Sequence, residues 1–236
     1  MTFFQQTALL LTVIWLVVVI VRFRRSSIVL IGGLFALGAY TLAAFTYGKV
    51  TPDDLGLGTG RSWLQSIGFA LAGLAVIVAC SPLADRLASR WFPAPPTLEA
   101  FKAIQQSRMK LIAGVAAAWV LGGFLEELVA RGIVLRSVET LLSTWITYPI
   151  ASGAAICIAA VGAGAMHSYQ GARAAVIITQ LSILFGILFV VSGYNLWVVM
   201  LCHGLYDTIA FVRFASKKSK YFHPDQDRVS SPDVKT

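Results

Sequence analysis

Six ionisable side chains stand in stretches of this 236-residue chain that otherwise read as lipid-spanning: Glu126, Glu127, Arg131, His167, His203 and Asp207. A charge at a bilayer centre costs roughly 2.5 to 3.5 kcal/mol on insertion scales, so several together point to chemistry or transport. Glu127 and Arg131 are spaced i and i+4, which puts them on one helix face, where an ion pair shields both charges. Glu126 points about 100° away on the helix wheel and is the carboxylate the arginine leaves free, in position to face a polar cavity as a general base. In Cys202-His203-Gly204-Leu205-Tyr206-Asp207 the histidine and aspartate are again i and i+4. Such a pair can bind a metal, hold one histidine tautomer, or present two polar groups to an oxyanion. His167, at the end of Gly164-Ala165-Met166-His167-Ser168-Tyr169, supplies a third polar group from a third helix.

Each feature has a plainer reading when taken singly. His167 alone reads as an interfacial histidine, Glu127 with Arg131 as a structural intramembrane pair, and His203 with Asp207 as either. The combination of an acid, a base and a paired helper on three helices favours a reactive site. Glu139 lies beyond the motif and carries no assigned role. Gln180 and Asn195 fit interhelical hydrogen bonding.

The elements that must position these groups follow from composition. With 57% hydrophobic and 13% charged residues and a mean hydropathy of +0.76, the chain reads as an all-α, polytopic membrane helix bundle. Apolar runs near 6–21, 27–47, 64–80, 109–136, 146–167, 174–192 and 195–214 predict about seven transmembrane helices. They are continuous rather than alternating, which selects helix over barrel strand. The first run has no basic residues before it and no small-residue cleavage site, so it reads as a retained span, not a signal peptide. Arg22, Arg24 and Arg25 follow it. Placed in the cytoplasm, they agree with Arg86, Arg90, Lys102, Arg108 and Lys110 in a later loop and with Arg213, Lys217, Lys218 and Lys220 near the end. The expected orientation is therefore N-terminus outside and C-terminus cytoplasmic, in a bacterial plasma membrane.

A net charge of +8 and a pI of about 9.7 invite a nucleic-acid reading. The basic residues flank spans instead of forming a patch, so topology and attraction to lipid headgroups account for them, and no nucleic-acid partner is expected. Residues 1–215 are read as one membrane-embedded domain with its motifs in 109–214, and 216–236 as a disordered cytoplasmic tail. Cys80, Cys157 and Cys202 lack zinc or disulfide-framework spacing and read as small apolar packing residues.

The motif order resembles that of the CPBP intramembrane proteases, also called the Abi or CAAX protease family, which includes the type II CAAX prenyl endopeptidases. Its pattern of Glu-Glu-x-x-x-Arg, Phe-x-x-x-His and His-x-x-x-Asn/Asp corresponds here to Glu126-Glu127-Leu128-Val129-Ala130-Arg131, Ala163-Gly164-Ala165-Met166-His167 and His203-Gly204-Leu205-Tyr206-Asp207. Asp53-Asp54-Leu55-Gly56-Leu57 is similar to a short segment that often follows the early helices of bacterial members. The chain departs from the pattern at Ala130, where an aromatic often stands, and at Ala163 in place of phenylalanine. Both are packing positions, and every ionisable position is kept.

The resemblance implies hydrolysis of a peptide bond in a membrane-associated, in some members lipidated, protein or peptide. Glu126 and His167 would activate water, His203 and Asp207 would form the oxyanion or substrate-polarising pair, and Glu127 with Arg131 would be the supporting ion pair. A metal-free glutamate mechanism, with no cofactor, is preferred. Zinc on Glu126, His167 and His203, as a metalloendopeptidase would hold it, is the alternative, although no His-Glu-x-x-His spacing is present. Rival readings are a transporter or proton relay, which lacks inverted repeats, and a non-catalytic immunity or scaffold protein. Simple topology also sets a difficulty: Glu126 falls past the middle of its span and His203 in the outer half of the last, whereas His167 falls near the inner end of the fifth.

Overall fold

Long runs of Leu, Val, Ile, Phe and Ala leave the backbone one way to satisfy its own N–H and C=O groups in lipid, which is the helix. The structure, a computed structural model, describes residues 2–20, 38–58, 60 and 62–221. Among these residues every regular element is helical: α1 (Phe3–Ile20), α2 (38–46), α3 (Trp63–Trp91), α4 (Arg108–Leu142), α5 (Tyr148–Met166), α6 (Ala172–Val191) and α7 (Leu196–Tyr221). Five of them, α3 to α7, are long and apolar enough to cross a membrane and match the last five expected spans. Most of the expected second span, the cluster Arg22, Arg24 and Arg25, and the tail from residue 222 lie outside the described residues. α7 continues through Tyr221.

Helix starts follow local chemistry. Ser62 and Gln65 form a reciprocal capping box at the head of α3, and Ser107 caps α4 by accepting from Lys110 N. α4 is 35 residues long, about 50 Å at the usual rise, well beyond one hydrocarbon thickness. It is not a regular α-helix throughout, as the 100° reading assumed. Trp119–Glu126 and Leu128–Leu135 are π-helical. Such widened turns occur often at functional sites, and here they bracket the Glu126-Glu127 pair.

Lipid offers no hydrophobic drive to bring helices together, so close contact depends on small faces and polar glue. Ala151, Ala155, Ala159 and Ala163 recur every fourth residue on α5 and are all buried against neighbouring helices. The α5–α6 interface is among the most extensive in the bundle. Ala163, one of the two departures from the family pattern, is thus part of a small-residue face. The main core joins Ile77 of α3, Leu135 of α4, Ala155 of α5, Phe185 and Phe189 of α6, and Val199 and Cys202 of α7. Asn195 donates to Ser66 Oγ at 3.0 Å, and Gln180 reaches Ala84 O at a long 3.4 Å, so both tie helices together as expected. Cys157 differs from expectation. It lies exposed on the outer face of α5, while Cys202 is buried.

The two ends of the bundle are closed differently. At the basic end, the connector 92–107 runs across the helices. Its short helix Glu99–Gln105 packs Phe101 against Phe211 with ring centres 5.5 Å apart, and Gln105 Nε2 donates to Phe214 O at 2.9 Å. Thr97 N donates to Gln170 O at 2.8 Å, and Arg173 holds Asp85 through a fork of 2.9 and 2.7 Å while also reaching Pro93 O. At the opposite end the segment 51–58 docks on the start of α7. Leu55 is buried, Gly56 O accepts from Leu196 N at 2.8 Å, and Leu57 O accepts from Trp197 Nε1 at 2.9 Å. The Asp53-to-Leu57 motif therefore closes the bundle end and takes no part in the polar site. Tyr194, in the turn before α7, adopts a left-handed φ of +59°. It is held by donation to Glu139 Oε1 at 2.7 Å and by Arg136 stacked 4.6 Å from its ring. Burial, and after it hydrogen bonding to Tyr148 and Glu139, pushes its phenol above the ordinary value. Glu139, without a role in the sequence reading, is a latch on this turn.

Gly56 has φ +81°, and a Cβ there would collide with Tyr194 O and crowd Leu196 N at 3.3 Å. Gly56→Ala should therefore destabilise the protein by about 1 to 3 kcal/mol, the usual cost of a strained position. A lowered melting temperature in detergent checks this; an unchanged one would mean the segment does not secure α7.

Candidate active site

α4 and α7 cross where neither has bulk. Trp119 Nε1 donates to Thr208 Oγ1 at 3.0 Å above the crossing, and a Cβ on Gly122 would stand 2.8 Å from Asp207 Oδ2 and 3.5 Å from His203 Nε2. Gly122 is therefore what lets the third-motif pair sit against α4. On the next turn of α4 the two glutamates diverge. Glu127 is fully buried, and its Oε1 accepts from Arg131 Nη1 at 3.0 Å and from His203 Nδ1 at 2.6 Å. Its Oε2 has no partner among the described residues, so both bonds fall on one oxygen.

Arg131, 2% exposed, is held from its far side by α6. Its Nη2 donates to Ser182 Oγ at 2.6 Å and to Ser182 O at 3.0 Å. The Phe185 ring covers the guanidinium at 5.5 Å and lies 4.9 Å from the His203 ring. Neither Ser182 nor Phe185 was singled out from the sequence. An apolar helix with one serine and one phenylalanine at i and i+3 carries no signal that separates them from core.

Because Nδ1 of His203 donates to Glu127, Nε2 is the nitrogen directed at Asp207, whose Oδ2 lies 3.5 Å away. The sequence reading paired His203 with Asp207. The structure instead makes Glu127 the close partner and Asp207 a looser one. His167 is fixed likewise: its Nδ1 donates to Ala163 O of its own helix at 2.9 Å, which leaves Nε2 as the lone-pair nitrogen of the neutral ring.

These groups share one cavity of about 880 Å³, lined by Glu126, His167, His203 and Asp207. Glu126, Glu127, His167 and His203 all lie within electrostatic range of Asp207. The depth difference expected from simple topology does not keep the four groups from lining the same cavity. Glu126 falls near the middle of α4, His203 lies about two turns into α7, and His167 stands at the end of α5. From the polar groups the cavity runs past Ala117 and Gly114 of α4 and Phe211 of α7 to Phe101 and Ile104 of the connector, at the basic end. It is thus a mostly apolar trough with one polar floor.

A zinc site would require three of these groups around one point at about 2.0 to 2.2 Å. Among the described residues no three His, Cys, Asp or Glu side chains are grouped to hold a metal ion. Glu126, His167 and His203 are therefore not assembled as a ligand set in this geometry.

Glu127→Gln should remove the charge that Arg131 and His203 both need, costing about 3 to 5 kcal/mol as a broken buried pair. Glu126→Gln, which faces the cavity, should leave the melting temperature within about a degree of the parent, as for a surface-like substitution. Equal losses of stability in both variants would contradict the division between the two carboxylates.

Residues 108–209 match the family model described as type II CAAX prenyl endopeptidase Rce1-like. The matched stretch contains all three motifs and begins at the head of α4. No curated protein and no solved structure matches the chain. Together with five helices long and apolar enough to cross a membrane, the match supports an integral membrane protein of a protease type.

Proposed function

We propose that this chain, carrying the Rce1-like match over its three motifs, is an intramembrane endopeptidase that hydrolyses a peptide bond with a water held between Glu126 and His167. The observation that carries the reading is the division of labour at the site. One glutamate is locked into Arg131 and His203, while its neighbour is left to line a cavity with both histidines and Asp207. A purely structural ion-pair network would need only the first glutamate.

The chemistry follows from which atoms are free. Glu126 takes a proton from the water, and His167 Nε2 orients that water by accepting its other hydrogen. The hydroxide oxygen bonds to the scissile carbonyl carbon, and the carbonyl π pair moves to oxygen. A proton on His203 Nε2 is placed to donate to this oxyanion, because Nδ1 is committed to Glu127. Asp207, beside that nitrogen, accepts a substrate backbone N–H and so orients the carbonyl. Collapse breaks the C–N bond, and Glu126 returns its proton to the leaving amine. The apolar trough toward Phe101 and Phe211 suits an apolar or lipid-bearing portion of the substrate.

Arg86, Arg90, Lys102, Arg108, Lys110, Arg173 and Arg213 all lie at the trough end of the bundle. By the positive-inside rule that end faces the cytoplasm, and the substrate enters from there. The same rule gives the cytoplasmic C-terminus.

Detergent-purified protein incubated with a peptide library should yield discrete cleavage products. Glu126→Gln should reduce their rate by roughly 100- to 10,000-fold, the worth of a general base. No products from the wild type, or undiminished products from the variant, would favour a proton relay or scaffold. Activity should also persist through chelation and dialysis. Loss to chelator with recovery on adding zinc would move the mechanism to a metal.

A further inference from the structure

α6 contributes no motif residue, yet among the described residues it is the helix that grips Arg131 on the side away from Glu127. Ser182, 6% exposed, accepts from Arg131 Nη2 through both its hydroxyl and its carbonyl. Phe185, one turn on and 5% exposed, lies over the guanidinium and beside the imidazole of His203. Both residues also border the cavity. A guanidinium is a rigid planar fork, so holding one nitrogen fixes the direction of the others. With Nη2 pinned on Ser182, Nη1 is aimed at Glu127 Oε1, and that oxygen is the acceptor for His203 Nδ1.

We propose that Ser182 and Phe185 are positioning residues for His203, acting through Arg131 and Glu127 so that the imidazole presents Nε2 to the cavity. The chain of contacts is Ser182 to Arg131 at 2.6 Å, Arg131 to Glu127 at 3.0 Å, and Glu127 to His203 at 2.6 Å. It reaches the reacting groups from a helix outside the motifs. Phe185 adds the second requirement. It closes water away from the guanidinium and imidazole, which strengthens each charge-assisted bond in the chain. The inference rests on the endopeptidase reading for its catalytic consequence, but the positioning of His203 can be read independently of activity.

The test uses the full chain in detergent micelles, with Ser182→Ala, Ser182→Thr and Phe185→Leu. Nitrogen-15 labelling of histidine reports the tautomer of His203 and its hydrogen-bonded Nδ1 proton, assigned by its loss in His203→Gln. Ser182→Ala should weaken or abolish that proton signal, and Ser182→Thr, which keeps the hydroxyl, should restore it. On a peptide the wild type cleaves, Ser182→Ala should lower kcat by roughly tenfold, the scale of one hydrogen bond to a charged group, with KM within about twofold. The kcat pH profile should move in Ser182→Ala and return in Ser182→Thr, and Phe185→Leu should move it in the same sense. An unchanged Nδ1 proton and pH profile in Ser182→Ala would overturn the proposal. Equal loss of melting temperature and activity in the alanine and threonine variants would also overturn it, since the role would then be packing alone. If the wild type cleaves nothing, the endopeptidase reading fails, and the nitrogen-15 signal still decides whether Ser182 positions His203.

Discussion

The arrangement depends on a buried carboxylate shared between a guanidinium and an imidazole. Glu127 is sealed from solvent, and one of its oxygens accepts from both Arg131 and His203. A charge in that position is tolerated only when its partner is rigidly in place, because desolvation of an unpaired ion costs more than most folds can spare. The constraint ties α4 to α7 directly and to α6 through Ser182. Three helices thus cannot slide past one another without breaking charge-assisted bonds. Glu126, the residue before it, inherits its orientation from that lock.

The rest of the bundle supplies room rather than reactivity. Alanines at four-residue spacing let α5 lie close to its neighbours, and His167 at its end borders the cavity that the α4 and α7 groups also line. Gly122 removes bulk where Asp207 and His203 face α4. The two ends are fastened by different means. Segment 51–58 and the Tyr194 latch secure the head of α7 some two turns before His203, whereas Phe101, Gln105 and Arg173 bind the connector over the basic end of the trough. The polar floor therefore sits between a closed end and a mostly apolar channel.

Much of this was legible in the chain because helices are local objects. Apolar run lengths place α3 to α7, and an i, i+4 spacing pairs Glu127 with Arg131 without any knowledge of the neighbours. The divergence of Glu126 from Glu127 also follows from helical rotation, even though the turns there are π-helical and the angle departs from the regular value. Gln180 and Asn195 are recognisable as glue because a polar amide in lipid has few other uses. Cys157 on an exposed face was not, since apolar composition all around a helix does not reveal which side meets lipid.

The motif residues, their order along the chain and the helices that carry them belong to the sequence by itself, since each rests on a period of a few residues. Tertiary structure alone decided that His203 bonds to Glu127 across 76 positions and that Ser182 grips Arg131 across 51. It alone brought His167 to the same cavity and assigned Asp53 to Leu57 to the closed end. Such contacts depend on where helices cross and how far each is rotated. That is set by small-residue faces, caps and turns summed over the whole bundle, and no local period records the sum.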